Sequence, residues 1–297
     1  MPEALLALLP DRGVVSVTGP DARDFLDNLI TNDMALLDGQ EAIHAALLTP
    51  QGKILYEFFV VKTPAGFLLE TALDQTAALA KRLALYKLRA KIEIKDAPGE
   101  VVVSVSFGDV RARPQGAIAF VDPRTELMGD HLLIPAPAVG AFVAQTAARR
   151  MPPDFVAARR IALGVPEAGR DYRLGDTFPH EADFDIFHGV SFTKGCYVGQ
   201  EVVARMQNKT VVRKRVTRVT GAAPLGSGAE VKAGEAVIGS IGSVAGNQAL
   251  AMLRLDRVVE ALDKGQAISA GDIPITVDAT MLARYRTSLA EKAAGSL

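Results

Sequence analysis

The sequence predicts an α+β protein: a region of antiparallel sheets with flanking helices, followed by a small C-terminal β-barrel. Three observations carry this. The first 150 residues alternate strand-like and helix-like stretches in a β-α-β-β-and-return order, which suits mainly antiparallel sheets rather than a doubly wound one. From Gly221 to Ala283 the composition shifts to glycine-rich turns between short strands, the pattern of a barrel. With 49% hydrophobic and 23% charged residues over 297 positions, the chain can bury a sizeable core in one large or two to three small domains. The expected division is 1–218 for the α+β region, itself open to a split into two subdomains, 219–290 for the barrel, and 291–297 for a frayed tail.

Taken in order, residues 14–18 read as a strand ended by Gly19-Pro20. Asp21 then suits a helix cap, and Ala22, Phe25, Leu26, Leu29 and Ile30 share one face at 3.6 spacing. Asn32 and Asp33 close that helix as turn formers. Residues 45–49 and 54–61 make a hairpin through Pro50-Gln51-Gly52-Lys53, and 67–71 adds a strand. Residues 74–87 form a helix rich in alanine and leucine, made basic by Lys81, Arg82, Lys87 and nearby Arg89. Such charge is ordinarily a solvated face, and it could steer an anionic ligand. Strands follow at 91–95, 101–107 and 116–121, then helices at 137–150 and 154–163.

From Arg170 to His188 the chain is irregular and acidic, with carboxylates too unevenly spaced for a calcium loop. A helix opens at Gly199-Gln200, where Val202, Val203 and Met206 recur at helical spacing and Glu201 can pair with Arg205 along the solvent side. Residues 209–219 read as a strand carrying Arg213 and Arg215 on one face. Short strands at 230–232, 236–243, 248–255 and 273–277 complete the barrel. Within it, Ile238-Gly239-Ser240-Ile241-Gly242-Ser243 is no phosphate loop, because no Gly-Lys-Ser/Thr ending and no helix follow.

Composition excludes several function classes. A net charge of −1 gives no global case for nucleic acid or an anionic membrane, and the basic cluster at 213–218 has no interleaved aromatics, so no dedicated nucleic-acid site is expected. No stretch reaches the roughly 18 apolar residues that span a bilayer, and the apolar run at 4–9 has no basic segment before it, so it is a poor export signal. The single cysteine excludes an internal disulfide and a cysteine-only metal or cluster site within one chain. A reducing compartment follows, with the cytoplasm as the default. His44, His131, His180 and His188 show no metal-ligand spacing and read as scattered surface or core residues.

The lone cysteine lies in the run Ser191-Phe192-Thr193-Lys194-Gly195-Cys196-Tyr197-Val198-Gly199-Gln200-Glu201. A lone cysteine is most often a small buried hydrophobe, but one flanked by Gly195 and Gly199 suggests a tight backbone path or close approach to a ligand. A thiolate there would be favoured by the N-terminus of the following helix and by Lys194, each by about 0.3–1 kcal/mol. The motif Lys194-Gly195-Cys196-Tyr197-x-Gly199-Gln200-Glu201 resembles the signature of the YgfZ family, folate-binding proteins related to the glycine-cleavage T-protein and to mitochondrial assistants of iron–sulfur protein maturation. The Gly19-Pro20-Asp21-Ala22…Thr31-Asn32-Asp33 pattern and the glycine-bearing barrel strand are similar to the same group.

That resemblance implies a T-protein-like folate-binding fold and a reduced folate, such as tetrahydrofolate, in a central cavity. It further implies iron–sulfur client or assembly proteins as partners and a connection to tRNA modification. Glu181 stands where T-proteins carry a pterin-binding glutamate, and a carboxylate can accept paired hydrogen bonds from a pterin. Arg213 or Arg215 would meet the glutamyl tail. Cys196, aided by Lys194 and Tyr197, would be the redox-sensitive or cluster-facing group. Gly195 and Gly199 would give the backbone room, Gln200 and Glu201 would fix the loop, and Arg205 would complete the binding set. One departure matters. T-proteins place an aspartate pair after the hairpin turn, and here that pair is Tyr56-Glu57. A carboxylate one methylene longer is displaced by about 1.5 Å, and errors near 1 Å can cost on the order of 100-fold. The alternative activity, tetrahydrofolate-dependent aminomethyl transfer, is thereby disfavoured. A cysteine hydrolase would need His180 or His188 near Cys196, and neither has a recognisable context.

Overall fold

The computed structural model describes residues 4–96, 101–108 and 114–294, with side chains described to Lys292. The chain divides into two compact units that are not sequential: 1–49, 55–156 and 186–198 form the first, and 50–54, 157–185 and 199–297 the second.

The first unit holds two five-stranded sheets. Its elements are β1 (Leu5–Leu9), β2 (Arg12–Thr18), α1 (Ala22–Asp27), β3 (Ala42–Leu48), β4 (Ile54–Thr63), β5 (Gly66–Ala72), α2 (Thr76–Tyr86), β6 (Glu93–Asp96), β7 (Val101–Phe107), β8 (Ile118–Val121), β9 (Asp130–Pro135), α3 (Ala136–Gln145) and β10 (Arg149–Met151). One sheet runs β3-β4-β5-β2-β6 and packs Val15, Val17, Phe58, Val60 and Leu69 against Phe25, Leu26, Leu79 and Leu83 of α1 and α2. The other runs β10-β1-β7-β9-β8, and Leu6, Leu132 and Ile134 pack with Phe142 of α3. Antiparallel pairing dominates, as expected, while β1 and β10 pair parallel.

Several expectations are corrected here. The apolar run at 4–9, to which no element was assigned from sequence, holds β1, a strand paired on both sides. The helix read over 137–150 stops at Gln145, and Arg149–Met151 joins the sheet instead. α1 is short, ending at Asp27 with Asn28 as its C-cap, so Leu29 and Ile30 of the expected face lie beyond it. Asp21 sits at its N-cap position, but its carboxylate accepts from the backbone N–H of Lys91 rather than from the helix.

Between the sheets lies a buried charge network. Both ring nitrogens of His131 donate to carboxylates, Nδ1 to Glu70 Oε2 at 3.0 Å and Nε2 to Asp122 Oδ2 at 3.3 Å. Arg12 reaches Glu70 Oε1 at 3.2 Å, and Arg124 reaches Asp122 Oδ2 at 2.7 Å. The imidazole stacks on Phe120 and meets the edge of Phe59. Burial alone would lower the His131 pKa, but the two carboxylates outweigh it and push it up to about 9. His131 is therefore a core residue, as one of the two sequence readings had it, though a charged one.

The second unit contains α4 (Pro153–Leu163, shared with the first unit at its start), α5 (Gln200–Lys209), β11 (Lys214–Gly221), β12 (Glu230–Ala233), β13 (Ala236–Ala245), β14 (Gln248–Arg254), α6 (Leu255–Asp263), β15 (Ile268–Ala270), β16 (Ile273–Val277) and α7 (Ala279–Ala294). The strands close into a barrel in the order β11-β14-β13-β12-β15-β16. The barrel begins at Lys214, so a boundary at 218 falls inside its first strand. The strand read from 209 is also corrected, because α5 runs to Lys209. The tail read from 291 is helical to Ala294, and 295–297 lie outside the described residues. The glycines of β13 have a packing reason. A Cβ on Gly242 would stand 2.7 Å from Asp171 Oδ1, where Asp171 accepts from Ser243 N–H at 2.8 Å while its other oxygen holds Arg160.

Candidate functional site

The loop carrying Cys196 is anchored before it reaches the thiol. Ser191 N–H donates to Thr31 O at 3.0 Å, and the Thr31 hydroxyl donates to Gly189 O at 2.6 Å. Buried Asn32 spans two segments, its amide donating to His188 O at 2.7 Å and His44 O at 2.8 Å. His44 in turn donates from Nδ1 to Phe187 O at 3.0 Å. Asn32 is thus a cross-link, not the helix-end turn former read from sequence, while Asp33 does cap a short turn by accepting from Ala35 N–H. The physical reason is burial: a 3% exposed amide must satisfy its donors internally.

Lys194 is turned inward. Its side chain is 1% exposed and its ammonium donates to the carbonyls of Asp27 (2.5 Å), Ile30 (3.1 Å) and Asn32 (2.8 Å), with Asp27 Oδ1 at 3.1 Å. It therefore caps the C-terminal end of α1, where carbonyls lack helical partners. Burial draws its pKa below the ordinary lysine value despite Asp27. Its ammonium is spent on these carbonyls and on Asp27, which makes it a loop anchor. Tyr197 is 7% exposed with its ring 5.4 Å from the Lys194 ammonium, and burial pushes its phenol up to about 12, so at neutral pH it keeps its proton and serves as no base.

Cys196 itself is exposed, and so is Gly195. The buried-hydrophobe reading of the cysteine is excluded. The two glycines differ. Gly199 takes φ 82 as the N-cap residue of α5, a conformation that favours glycine. A Cβ on Gly195 would meet nothing within 4 Å, so its expected role of making room for the backbone is corrected. Glu201 does not fix the loop. It pairs with Arg205 at 3.1 Å on the exposed side of α5, the alternative raised by their spacing, and Arg205 is accordingly engaged there. Gln200 is the first residue of α5.

In the second unit, Glu181 lies in a short turn, Pro179–Ala182, where its Oε2 accepts from Phe178 N–H at 2.9 Å. That bond orients the carboxylate and leaves Oε1 without a partner among the described residues, which fits a ligand that donates hydrogen bonds. Arg215 is corrected. Its guanidinium is 10% exposed and donates to Asp185 Oδ1 and Oδ2 (2.8 and 2.7 Å), Asp183 Oδ1 (2.9 Å) and His180 O (2.7 Å), so it is an internal anchor and not a tail-binding group. Burial pushes the Asp183 carboxyl up to about 8 even with Arg215 beside it. Arg213 is exposed and lies just before β11, whereas Arg215 is buried within it. A cleft of about 570 Å³, lined by His180, Asp185, Gln207, Arg215 and Tyr285 among others, opens beside this turn; neither Glu181 nor Arg213 lines it.

The aspartate-pair position also has a structural occupant. Glu57 Oε1 lies 2.9 Å from His44 Nε2 and its side chain is 12% exposed, while Tyr56 packs against the core. Among the described residues no group of three or more His, Cys, Asp or Glu could hold a metal ion, and no helix is long and apolar enough to cross a membrane.

Comparison with known proteins agrees with the fold. The model of the CAF17 C-terminal beta-barrel domain matches residues 213–281, the barrel. The chain is 33% identical over 232 residues to the mitochondrial iron-sulfur cluster assembly factor IBA57 homolog of Neurospora crassa, covering 71% of this chain and 52% of that protein. It is 32% identical over 303 residues to the iron-sulfur cluster assembly factor IBA57, mitochondrial, of Homo sapiens, covering 90% and 83%. The chain spans only about half the length of the fungal relatives, 52% for Neurospora crassa and 56% for Mycosarcoma maydis. Among solved structures, the glycine cleavage system aminomethyltransferase T of Bartonella henselae superposes with a TM-score of 0.74 over 93% of this chain and 85% of that one. At 15% identity that likeness is one of fold.

Proposed function

Because the chain belongs to the family of IBA57 iron–sulfur cluster assembly factors, we propose that it assists the assembly or repair of iron–sulfur proteins, binding a reduced folate such as tetrahydrofolate and presenting Cys196 to a client. The observation that carries this reading is the contrast within one loop: the thiol is exposed while the Lys194 side chain and Asn32 are buried and hydrogen-bonded and the Tyr197 ring is buried beside the Lys194 ammonium. A mobile surface cysteine would need no such anchoring. A thiol held in place can meet an incoming metal or sulfur centre without first being ordered.

For the folate, Glu181 is the pterin ligand through its open Oε1, and exposed Arg213 is the group for the glutamyl tail. Aminomethyl transfer is not part of the proposal, since Glu57 is held by His44. A cytoplasmic location remains part of it, on the ground of the reducing compartment implied by the single cysteine; the relatives' names place those proteins in mitochondria, and fractionation of the native host decides for this one.

A paired experiment separates the two halves. Glu181→Gln keeps an oxygen for Phe178 N–H but loses the carboxylate, and it is expected to weaken tetrahydrofolate binding by roughly 10- to 100-fold in calorimetry, the worth of a charge-assisted hydrogen bond. Cys196→Ser is expected to leave that affinity unchanged and to abolish the rescue of an iron–sulfur enzyme in cells lacking the protein. No heat from tetrahydrofolate at millimolar concentration sinks the folate half; full rescue by Cys196→Ser sinks the other.

A further inference from the structure

Several exposed cations elsewhere in this protein sit beside carboxylates. Arg23 pairs with Asp38 at 2.7 Å, Arg254 with Asp256 at 2.6 Å, Arg257 with Glu260 at 2.9 Å, and Arg286 with Asp263 at 2.5 Å. Helix α2 and the residues after it gather such cations with no carboxylate among them. Between Thr76 and Ile92 the chain carries Lys81, Arg82, Lys87, Arg89 and Lys91, and no Asp or Glu. None of these five side chains has an ion-pair or hydrogen-bond partner among the described residues, and all but half-buried Arg82 are exposed. The nearest carboxylates along the chain are turned to other donors or stand apart: Asp74 accepts from Gln75 Nε2, Asp21 accepts from the backbone of Lys91, and Glu93 is exposed on β6.

The same stretch holds the most exposed large apolar side chains among the described residues, Leu85 at 66% and Leu88 at 90%. Leu88 sits just beyond the helix at φ 42, a left-handed backbone that a leucine rarely adopts. At that position glycine or asparagine would be the unstrained choice. Instead a leucine is held in solvent among five cations that nothing neutralises, in a chain whose net charge is −1.

We propose that the C-terminal end of α2 with residues 87–91 docks an acidic, amphipathic segment of a partner protein. Carboxylates of that segment meet Lys81, Lys87, Arg89 and Lys91, and an apolar side chain covers Leu85 and Leu88. A desolvated apolar centre within a charged rim is the anatomy of a protein interface, with the charges setting approach and register. A bilayer fits less well: α2 buries Leu79 and Leu83 in its own core, so its apolar face is not free to enter lipid. RNA fits less well too, because the one aromatic of the stretch, Tyr86, packs against the core and cannot stack on a base. The proposal does not draw on the folate or cluster readings and stands or falls separately from them.

The test uses the full chain and a fluorescent synthetic helix of glutamates with leucines at i, i+3 and i+4 spacing, followed by anisotropy. The peptide is expected to bind the native protein and to bind about tenfold or more weakly to Leu88→Ser and to Lys87→Glu/Arg89→Glu. Polyglutamate of equal charge is expected to bind more weakly and to ignore Leu88→Ser. Leu85→Ser serves as a second apolar variant, and unchanged thermal midpoints confirm that each variant folds. No binding, or equal binding by native and variant proteins, overturns the proposal. So does tighter binding of phosphatidylserine vesicles or duplex RNA than of the peptide, when that binding is lost in the charge-reversed variant.

Discussion

Replacing His131 by alanine is expected to destabilise the protein by about 3–5 kcal/mol, the usual cost of removing one partner from a buried ion pair. The imidazolium neutralises Glu70 and Asp122 from between the two sheets, and both carboxyls are fully buried. Without it, Glu70 keeps Arg12 and Asp122 keeps Arg124, but each loses one bond and a cavity opens against Phe59 and Phe120. The pH dependence identifies the cause. The folded pKa of about 9 stands above the ordinary 6.5, so the contribution of His131 is fully present below pH 6.5 and is lost as pH rises through 9. Glu70 and Asp122 are held below the carboxylate range, Glu70 by His131 and Arg12 and Asp122 by Arg124 and His131, so their contributions are lost only in strong acid. Denaturant melts of the native protein should therefore lose on the order of 3 kcal/mol between pH 6.5 and 9, and the alanine variant should show little of that slope. Equal slopes in the two proteins would mean that His131 is neutral in the fold.

Arg215→Met should cost the second unit a comparable amount, about 3–5 kcal/mol, because it strips the donors from Asp183 and Asp185 and from the carbonyl of His180. Burial already pushes the Asp183 carboxyl up to about 8, and losing Arg215 raises it further. A carboxyl whose folded pKa exceeds its unfolded value of 3.8 binds a proton in the fold that the unfolded chain releases, so the variant should gain stability as pH falls from 8 to 6. Its affinity for tetrahydrofolate, measured where it remains folded, should equal that of the native protein. A selective loss of folate binding with unchanged stability would restore Arg215 to the tail-binding role read from sequence.

Much of the fold was legible because the relevant signals are local. The hairpin 45–61 showed itself through Pro50-Gln51-Gly52-Lys53, α5 through Val202, Val203 and Met206, and the barrel through its glycine turns. Two elements missed from sequence are instructive. In α6, Leu255, Val258 and Val259 carry the helical period and are buried, but the preceding strand β14 runs straight into them with no breaker between. In β9, Asp130 to Pro135, a short apolar run without alternation leaves strand and buried helix indistinguishable. At the site, the exposure of Cys196 agreed with its glycine-flanked context, while Lys194, Arg215 and Asn32 did not do what their neighbours in sequence suggested.

What the sequence determined alone was the class of fold, the place of the barrel, and a cysteine loop set before a helix, since periodicity, turns and caps act over a few residues. The tertiary structure decided which charges face inward. Arg215 finds Asp183 from 32 positions away, Lys194 finds Asp27 from 167, and His131 finds Glu70 from 61. A cation looks the same in sequence whether it waits for a ligand or holds a carbonyl, because desolvation is imposed by segments that only folding brings together.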